Sequence, residues 1–251
     1  MKRMRKVRRF GFAFVFIVGL MVGLAACNKD KNELRVGTAL SFPPYEYEED
    51  GQVVGVDIDI MQEIARRMGK TFVLESMEFD DLFSALDYHK IDVIAAGLTI
   101  TEKRKETINF TVSYASGEQK ILIKKDTNID TIDELGEKGI LIGVEKGTTG
   151  YELAGNTFNA SQLRDYDDAT KMMDALEGNI VSAVVIDIAP AEVYAANHSD
   201  LKILDIDADY EEYALGLAKD SEYYEQVNSI LQEMIEDGTV DSIIKKYNTF
   251  D

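Results

Sequence analysis

The chain of 251 residues is long enough for one large or two ordinary domains, and 45% hydrophobic residues is a globular composition. With 46 acidic against 27 basic residues, a net charge of −19, the folded part is not expected to bind nucleic acid or an anionic membrane surface. A single cysteine excludes an intramolecular disulfide.

The N-terminus has the opposite character. Lys2, Arg3, Arg5, Lys6, Arg8 and Arg9 come before any acid. The apolar run from Phe10 to Leu24 is about fifteen residues, short for a membrane span. A basic start, an apolar stretch and small residues describe a secretory signal. Leu24-Ala-Ala-Cys27 resembles a bacterial lipobox. The resemblance implies removal of residues 1–26 and lipid attachment, palmitate included, at Cys27, with 27–32 as a polar tether. The competing reading is an uncleaved signal anchor. Without 1–26, 21 basic residues face 46 acidic ones, a net charge of −25.

Beyond the tether, Glu33 to Ala39 alternates and is rich in β-formers, which predicts a strand. Leu40-Ser-Phe-Pro-Pro-Tyr-Glu-Tyr47 must leave it as an aromatic loop, because two prolines remove ladder donors. Ile58, Ile60, Met61, Ile64, Ala65 and Met68 keep helical spacing, with Asp57 as a cap and Gly69 as a stop. A strand at 71–74, a helix at 79–86 and a strand at 91–96 complete a β-α-β-α-β series, which implies a parallel sheet. A long strand at 116–125 leads into a second series. It has strands at 140–144, 162–166 and 181–186, helices opening near Thr131, Gly147, Asp168 and Ala189, and a strand at 201–204. A strand at 213–218 and helices at 222–236 and 240–246 end the chain. No exact repeat links the halves, yet both are βαβ-built, which predicts an α/β protein of two lobes facing across a cleft.

The chemistry concentrates in Asp92-Val-Ile-Ala-Ala-Gly-Leu-Thr-Ile-Thr-Glu-Lys-Arg104. It reads as a strand end that opens, through Gly97, into the start of a short helix. Helix N–H groups and an Arg104 fork favour a carboxylate, and ligands of such sheets bind beyond the carboxyl ends of the strands. The bland alternative is a βα turn with a surface arginine.

Val36-Gly-Thr, Phe42-Pro-Pro-Tyr-Glu, Gly55-Val-Asp-Ile-Asp59, Asp92 to Arg104 and Gly147-Thr-Thr149, in that order, resemble the polar-amino-acid solute-binding proteins of bacterial ABC importers, extracellular solute-binding family 3. The resemblance covers 33–250. It implies a hinged, two-lobe periplasmic-binding-protein-like fold of type II. Lobe 1 would be 33–115 plus 213–251 and lobe 2 would be 116–212, with crossings near Gly117 and Tyr213.

The same resemblance implies the ligand contacts. Arg104, Thr99 and Thr149 would hold an amino acid's carboxylate, and the Gly97 carbonyl and Asp187 its ammonium. Phe42 would stack on the side chain, and Val56 and Glu145 would help select it. Asp187 has a competing role as the cap of the helix after it, and Phe42 as a core residue. Ala39 stands where some members that bind basic amino acids carry an acid, while Glu145 offers one elsewhere. Arginine, lysine or glutamine is therefore favoured.

The expected protein is a monomeric, lipid-anchored receptor on the extracytoplasmic face of the membrane, which serves an ABC permease. It needs no cofactor or metal, and His89 and His198 stand apart. A dehydratase-like enzyme on the same scaffold and a sensor module are the alternatives.

Overall fold

A computed structural model describes residues 31–137 and 139–247, so the signal segment and Cys27 lie outside the described residues. The first half runs β1 (Glu33–Thr38), β2 (Tyr47–Glu49), β3 (Gln52–Val54), α1 (Val56–Met68), β4 (Thr71–Ser76), α2 (Asp81–Asp87) and β5 (Val93–Ile94). Then come α3 (Glu102–Lys105), β6 (Ile108–Phe110), β7 (Ala115–Gly117) and β8 (Gln119–Lys124). The second half continues with α4 (Ile132–Glu137), β9 (Ile142–Glu145), α5 (Thr149–Thr157), β10 (Leu163–Tyr166), α6 (Ala169–Glu177), β11 (Ala183–Asp187) and α7 (Ile188–Asn197). Last are β12 (Leu201–Asp205), β13 (Glu211–Tyr213), β14 (Gly216–Ala218), α8 (Tyr224–Glu236) and α9 (Thr239–Tyr247).

Two five-stranded sheets carry the two lobes, in the orders β4-β1-β5-β14-β6 and β10-β9-β11-β8-β12. In the first, β1 is parallel to β4 and β5 while β14 is antiparallel to β5 and β6. In the second, β9 is parallel to β10 and β11 while β8 is antiparallel to β11 and β12. Each lobe is thus a three-strand parallel unit of the same order, completed by an antiparallel strand at a passage between the halves. The repeat invisible in the sequence exists in the topology.

Both sheets are covered on both faces, so their central strands β5 and β11 are apolar at nearly every position. Along β5 and the residues after it, Val93 and Ala95 pack toward α1 and α8, while Ile94 and Ala96 pack toward α2. Along β11, Ala183 and Val185 pack against Ala154 of α5, while Val184 and Ile186 pack against α6. This two-sided burial explains the continuous apolar runs that the sequence shows at these strands.

Two strand expectations change. The stretch 116–125 is two elements, β7 and β8, and 213–218 is split between β13 and β14. The pieces β7 and β13 pair with each other, Gly117 opposite Glu211 and Ala115 opposite Tyr213. Both chain passages between the sheets therefore run side by side as a two-stranded ribbon.

A third change concerns Asp57. Gly55, not Asp57, is the N-cap of α1. The Asp57 carboxylate accepts from the Gly97 N–H at 2.9 Å and from the Tyr114 hydroxyl at 2.6 Å. Gly55 has φ 137°, and a Cβ there would meet the Tyr45 carbonyl oxygen at 2.0 Å. The loop Phe42–Glu46 consequently lies directly on the start of α1, held by Val56 N–H to Pro44 O at 3.0 Å and Asp57 N–H to Tyr45 O at 3.0 Å. No helix among the described residues is long and apolar enough to cross a membrane.

Gly55→Ala combines a left-handed backbone with a backbone clash, so urea unfolding is expected to show a loss of roughly 2–5 kcal/mol. A loss within about 0.5 kcal/mol, the range of ordinary surface changes, would contradict this packing.

Candidate functional site

The carboxyl ends of β1, β5, β9 and β11 lead to a small cavity lined by residues of both lobes. Of the eight ligand positions expected from the sequence, seven line it: Phe42, Gly97, Thr99 and Arg104 from the first lobe, and Glu145, Thr149 and Asp187 from the second. Val56 does not. It is 1% exposed and packs with Tyr45 and Ile60 in the first lobe's core. The reason is helical spacing, which puts 56, 60 and 64 on one buried face of α1.

Arg104 is held from several sides. Thr101 caps α3, its hydroxyl accepting from the Arg104 N–H at 3.1 Å. Nη1 donates to the Thr99 carbonyl at 2.8 Å, and Nη2 donates across the cleft to the Gly147 carbonyl at 3.0 Å. The guanidinium carbon lies 5.4 Å from the ring centroids of both Phe79 and Phe83. Burial lowers its pKa while Glu211, Glu152 and Asp187 oppose that, and a guanidinium remains charged throughout. Because α3 has only four residues, the positive charge on this wall of the cavity comes from Arg104 rather than from a helix terminus.

The hydroxyls divide their roles. Thr99 Oγ1 donates to Glu211 Oε2 at 2.6 Å, so its proton is already committed. Gln119 Nε2 donates to Glu211 Oε1 at 3.2 Å and to Thr149 Oγ1 at 3.1 Å. Thr149, accepting there, still has its own hydroxyl proton to donate. Asp187 stands at the N-cap of α7 but makes no capping bond. Its carboxylate accepts instead from the Tyr213 hydroxyl on β13, so it is not spent on the helix.

Phe42 sits over Gly97, whose φ is 53° and whose Cβ would meet the Phe42 ring at 2.6 Å. Only glycine allows this approach. The ring stacks on Tyr45 at 5.7 Å and touches the cores of both lobes. The expected choice between cleft and core therefore resolves as both.

Residues 34–250 match the model of the bacterial extracellular solute-binding proteins, family 3. The chain belongs to that family. The arginine-binding extracellular protein ArtP of Bacillus subtilis is 28% identical over 225 residues, 87% of each chain. A probable histidine-binding protein of Campylobacter jejuni is 31% identical over 258 residues, 96% of this chain and 99% of its own. The solved structure of an ancestral arginine-binding protein bound to glutamine matches with a TM-score of 0.82 at 33% identity, covering 88% of this chain and 99% of that one. The fold is thus of the periplasmic-binding-protein-like type II, and the family is one of amino-acid and other solute binders rather than enzymes.

This solute-binding protein also brings to the cavity residues that the sequence does not single out, among them Ser41, Glu46, Phe79 and Thr148. Glu46 is the most consequential. It is fully buried, and neither carboxylate oxygen has a hydrogen-bond partner. Burial, then the Asp57, Glu145 and Asp187 carboxylates, push its pKa well above the usual range. The one available signal is an acid directly after an aromatic-proline run, where an apolar residue would pack more cheaply.

Burial, followed by Asp168, Asp187 and Glu78, lifts Glu145 to about 8. Asp187 is also raised, by burial and then by Glu211, against the Tyr213 hydrogen bond. Among the described residues lining the cavity, three carboxylates face one guanidinium.

A carboxyl whose folded pKa exceeds its unfolded value holds its proton more tightly when folded. Its stabilising contribution is whole below about 4.5 and is lost as pH rises through about 8 in the case of Glu145. Glu145→Gln mimics the protonated form. Denaturant unfolding without ligand is expected to give similar stabilities at about pH 4.5. At about pH 8.5 the variant should be more stable, by on the order of 3 kcal/mol. A difference that does not change with pH would refute the assignment.

Proposed function

We propose that this protein is an extracytoplasmic receptor that captures a polar or basic L-amino acid, arginine, lysine or glutamine before others, and delivers it to an ABC importer. The observation that carries the reading is Arg104 of α3, fixed by the Thr99 and Gly147 carbonyls and lining one cavity with Thr149 and Asp187 of the other lobe. A zwitterion needs a cationic fork and hydroxyl donors at one end and a carboxylate at the other. These groups come from both sheets, so a bound amino acid bridges them and favours the closed arrangement by its differential affinity. In this reading residues 33–115 and 213–251 move against 116–212, and the β7–β13 ribbon is the hinge.

The relatives support the substrate class, since the proteins named above are described as binding arginine, histidine or glutamine. Delivery to a permease follows from the resemblance to ABC importer receptors. Lipid on Cys27 would keep the receptor beside that permease, and Leu24-Ala-Ala-Cys27 is the supporting motif. More than one acyl chain is needed for stable anchoring.

Calorimetric titration of the full chain with each of the twenty amino acids tests the reading. At least one polar or basic amino acid should bind, and none binding would end it. Arg104→Ala should weaken that ligand by about 2–4 kcal/mol, or roughly 30- to 1000-fold, while the circular dichroism spectrum is retained. Wild-type affinity in the variant would remove Arg104 from the site. For the anchor, Cys27→Ala should shift the chain from the membrane fraction of the expressing bacterium to its soluble fraction. An unchanged distribution would exclude attachment through Cys27.

A further inference from the structure

We propose that Glu211 is a positioning residue of the amino-acid site, which stands behind the cavity wall and fixes the direction in which the threonine hydroxyls of both lobes donate. The proposal rests on the amino-acid reading above and adds a residue that acts on a ligand only through Thr99, Gln119 and Thr149.

Glu211 opens β13 and stands opposite Gly117 in the ribbon where both chain passages meet. It is buried, and it is not among the residues that line the cavity. A buried carboxylate is costly unless it is hydrogen-bonded, and this one is bonded from both lobes. Thr99 of the first donates to Oε2 at 2.6 Å, and Gln119 of the second donates to Oε1 at 3.2 Å. Backbone pairing keeps both donors in reach. Residues 98–100 run beside β13, with Ile100 N–H to Glu212 O at 2.8 Å and Ala214 N–H to Leu98 O at 3.0 Å. Gln119 lies opposite Asp187 where β8 pairs with β11.

The direction of these bonds follows from the chemistry of the acceptor. An ionised carboxylate accepts and cannot donate. Thr99 must therefore turn its proton to Glu211, and Gln119 must turn its amide nitrogen rather than its oxygen. The same nitrogen reaches Thr149 Oγ1 at 3.1 Å, so Thr149 accepts there and its own proton is left for the cavity. Reversing the amide would set its oxygen against Glu211, acceptor against acceptor. The carboxylate thus decides the orientation, even though Gln119 Oε1 is left buried without a hydrogen-bond partner. Glutamine at position 211 would remove the constraint, because an amide donates as well as accepts.

Glu211 also acts on the charges at both ends of the site. It is the first of the carboxylates that oppose the effect of burial on Arg104, and burial and then Glu211 raise Asp187. The other groups that face Asp187 are Tyr213 of β13, Arg104 of α3, Glu145 of β9, and Glu46 and Tyr45 of the aromatic loop. All of them remain when Glu211 is replaced. Asp187 must be ionised to receive an ammonium, so removing the neighbouring charge extends binding to lower pH.

The test is a double-mutant cycle by isothermal titration calorimetry on the full chain, with Glu211→Gln, Thr149→Val and both together. The probe is L-arginine, replaced by the tightest binder among the other amino acids if the wild type does not take it. Each single substitution should weaken the probe by about tenfold. The double variant should lose about the same factor, not the roughly hundredfold that independent residues would give. The pH at which affinity starts to fall should lie lower in Glu211→Gln than in the wild type, a shift that a purely structural residue would not cause. Additive losses, wild-type affinity in either single variant, or an unmoved pH profile overturns the proposal and leaves the amino-acid reading standing. No amino acid bound by the wild type overturns both. If Glu211→Gln does not fold, Gln119→Leu cuts the same chain of bonds at its middle and takes its place in the cycle. There a shared loss supports the proposal and additive losses reject it.

Discussion

The near wall of the cleft depends on one buried carboxylate. Asp57, in the first turn of α1, joins the Gly97 N–H at the strand end to the Tyr114 hydroxyl just before the ribbon. Burial lifts its pKa to about 6, and the two hydrogen bonds hold it down against that. A buried charge must be paired, so these donors are constrained to stay where they are. With them stay Gly97 and the ring of Phe42 packed over it. The aromatic loop, the stretch from Gly97 toward Arg104 and the approach to the second lobe thus share a single anchor.

A second tie works across the ribbon. Glu211 of β13 receives Thr99 from one lobe and Gln119 from the other, and Tyr213 on the same strand reaches Asp187. The passages between lobes are therefore wired to groups that line the cavity. Surface ion pairs add little to this. Lys103–Glu152 at 2.7 Å and Lys171–Glu78 at 3.2 Å span the cleft, but their side chains are exposed, and such pairs contribute about 0–1 kcal/mol. The buried polar network, not the rim, links the two sheets.

The cavity itself is electrostatically unbalanced, with Glu46, Glu145 and Asp187 opposite Arg104. In a solvated surface this would matter little. In a buried site the imbalance raises carboxyl pKa values and favours neutralisation by a cation. Such an arrangement lowers the stability of the free protein at neutral pH. Trading stability for recognition is common where a site must be ready before its ligand arrives.

Much of this was legible in the sequence. Period-2 and period-3.6 patterns located the strands and helices, Gly69 and Thr101 marked a stop and a start, and the order of motifs pointed to the two-lobe family. Residue chemistry nominated Arg104 as a partner for a carboxylate, and the resemblance to that family added Thr149 and Asp187. Tertiary structure decided the rest. The breaks in 116–125 and 213–218 depend on strand pairing between distant segments. Val56 faces inward because α1 packs on its sheet, and Asp57 serves a loop 40 residues away rather than its own helix. Thr99 gives its proton to Glu211, 112 positions on. Glu46 looks like one more surface acid in a chain with 46 of them. Local sequence determines backbone conformation and the kinds of chemistry available. Which side chains are buried, and what each is left to pair with, is fixed only when segments far apart in the chain come together.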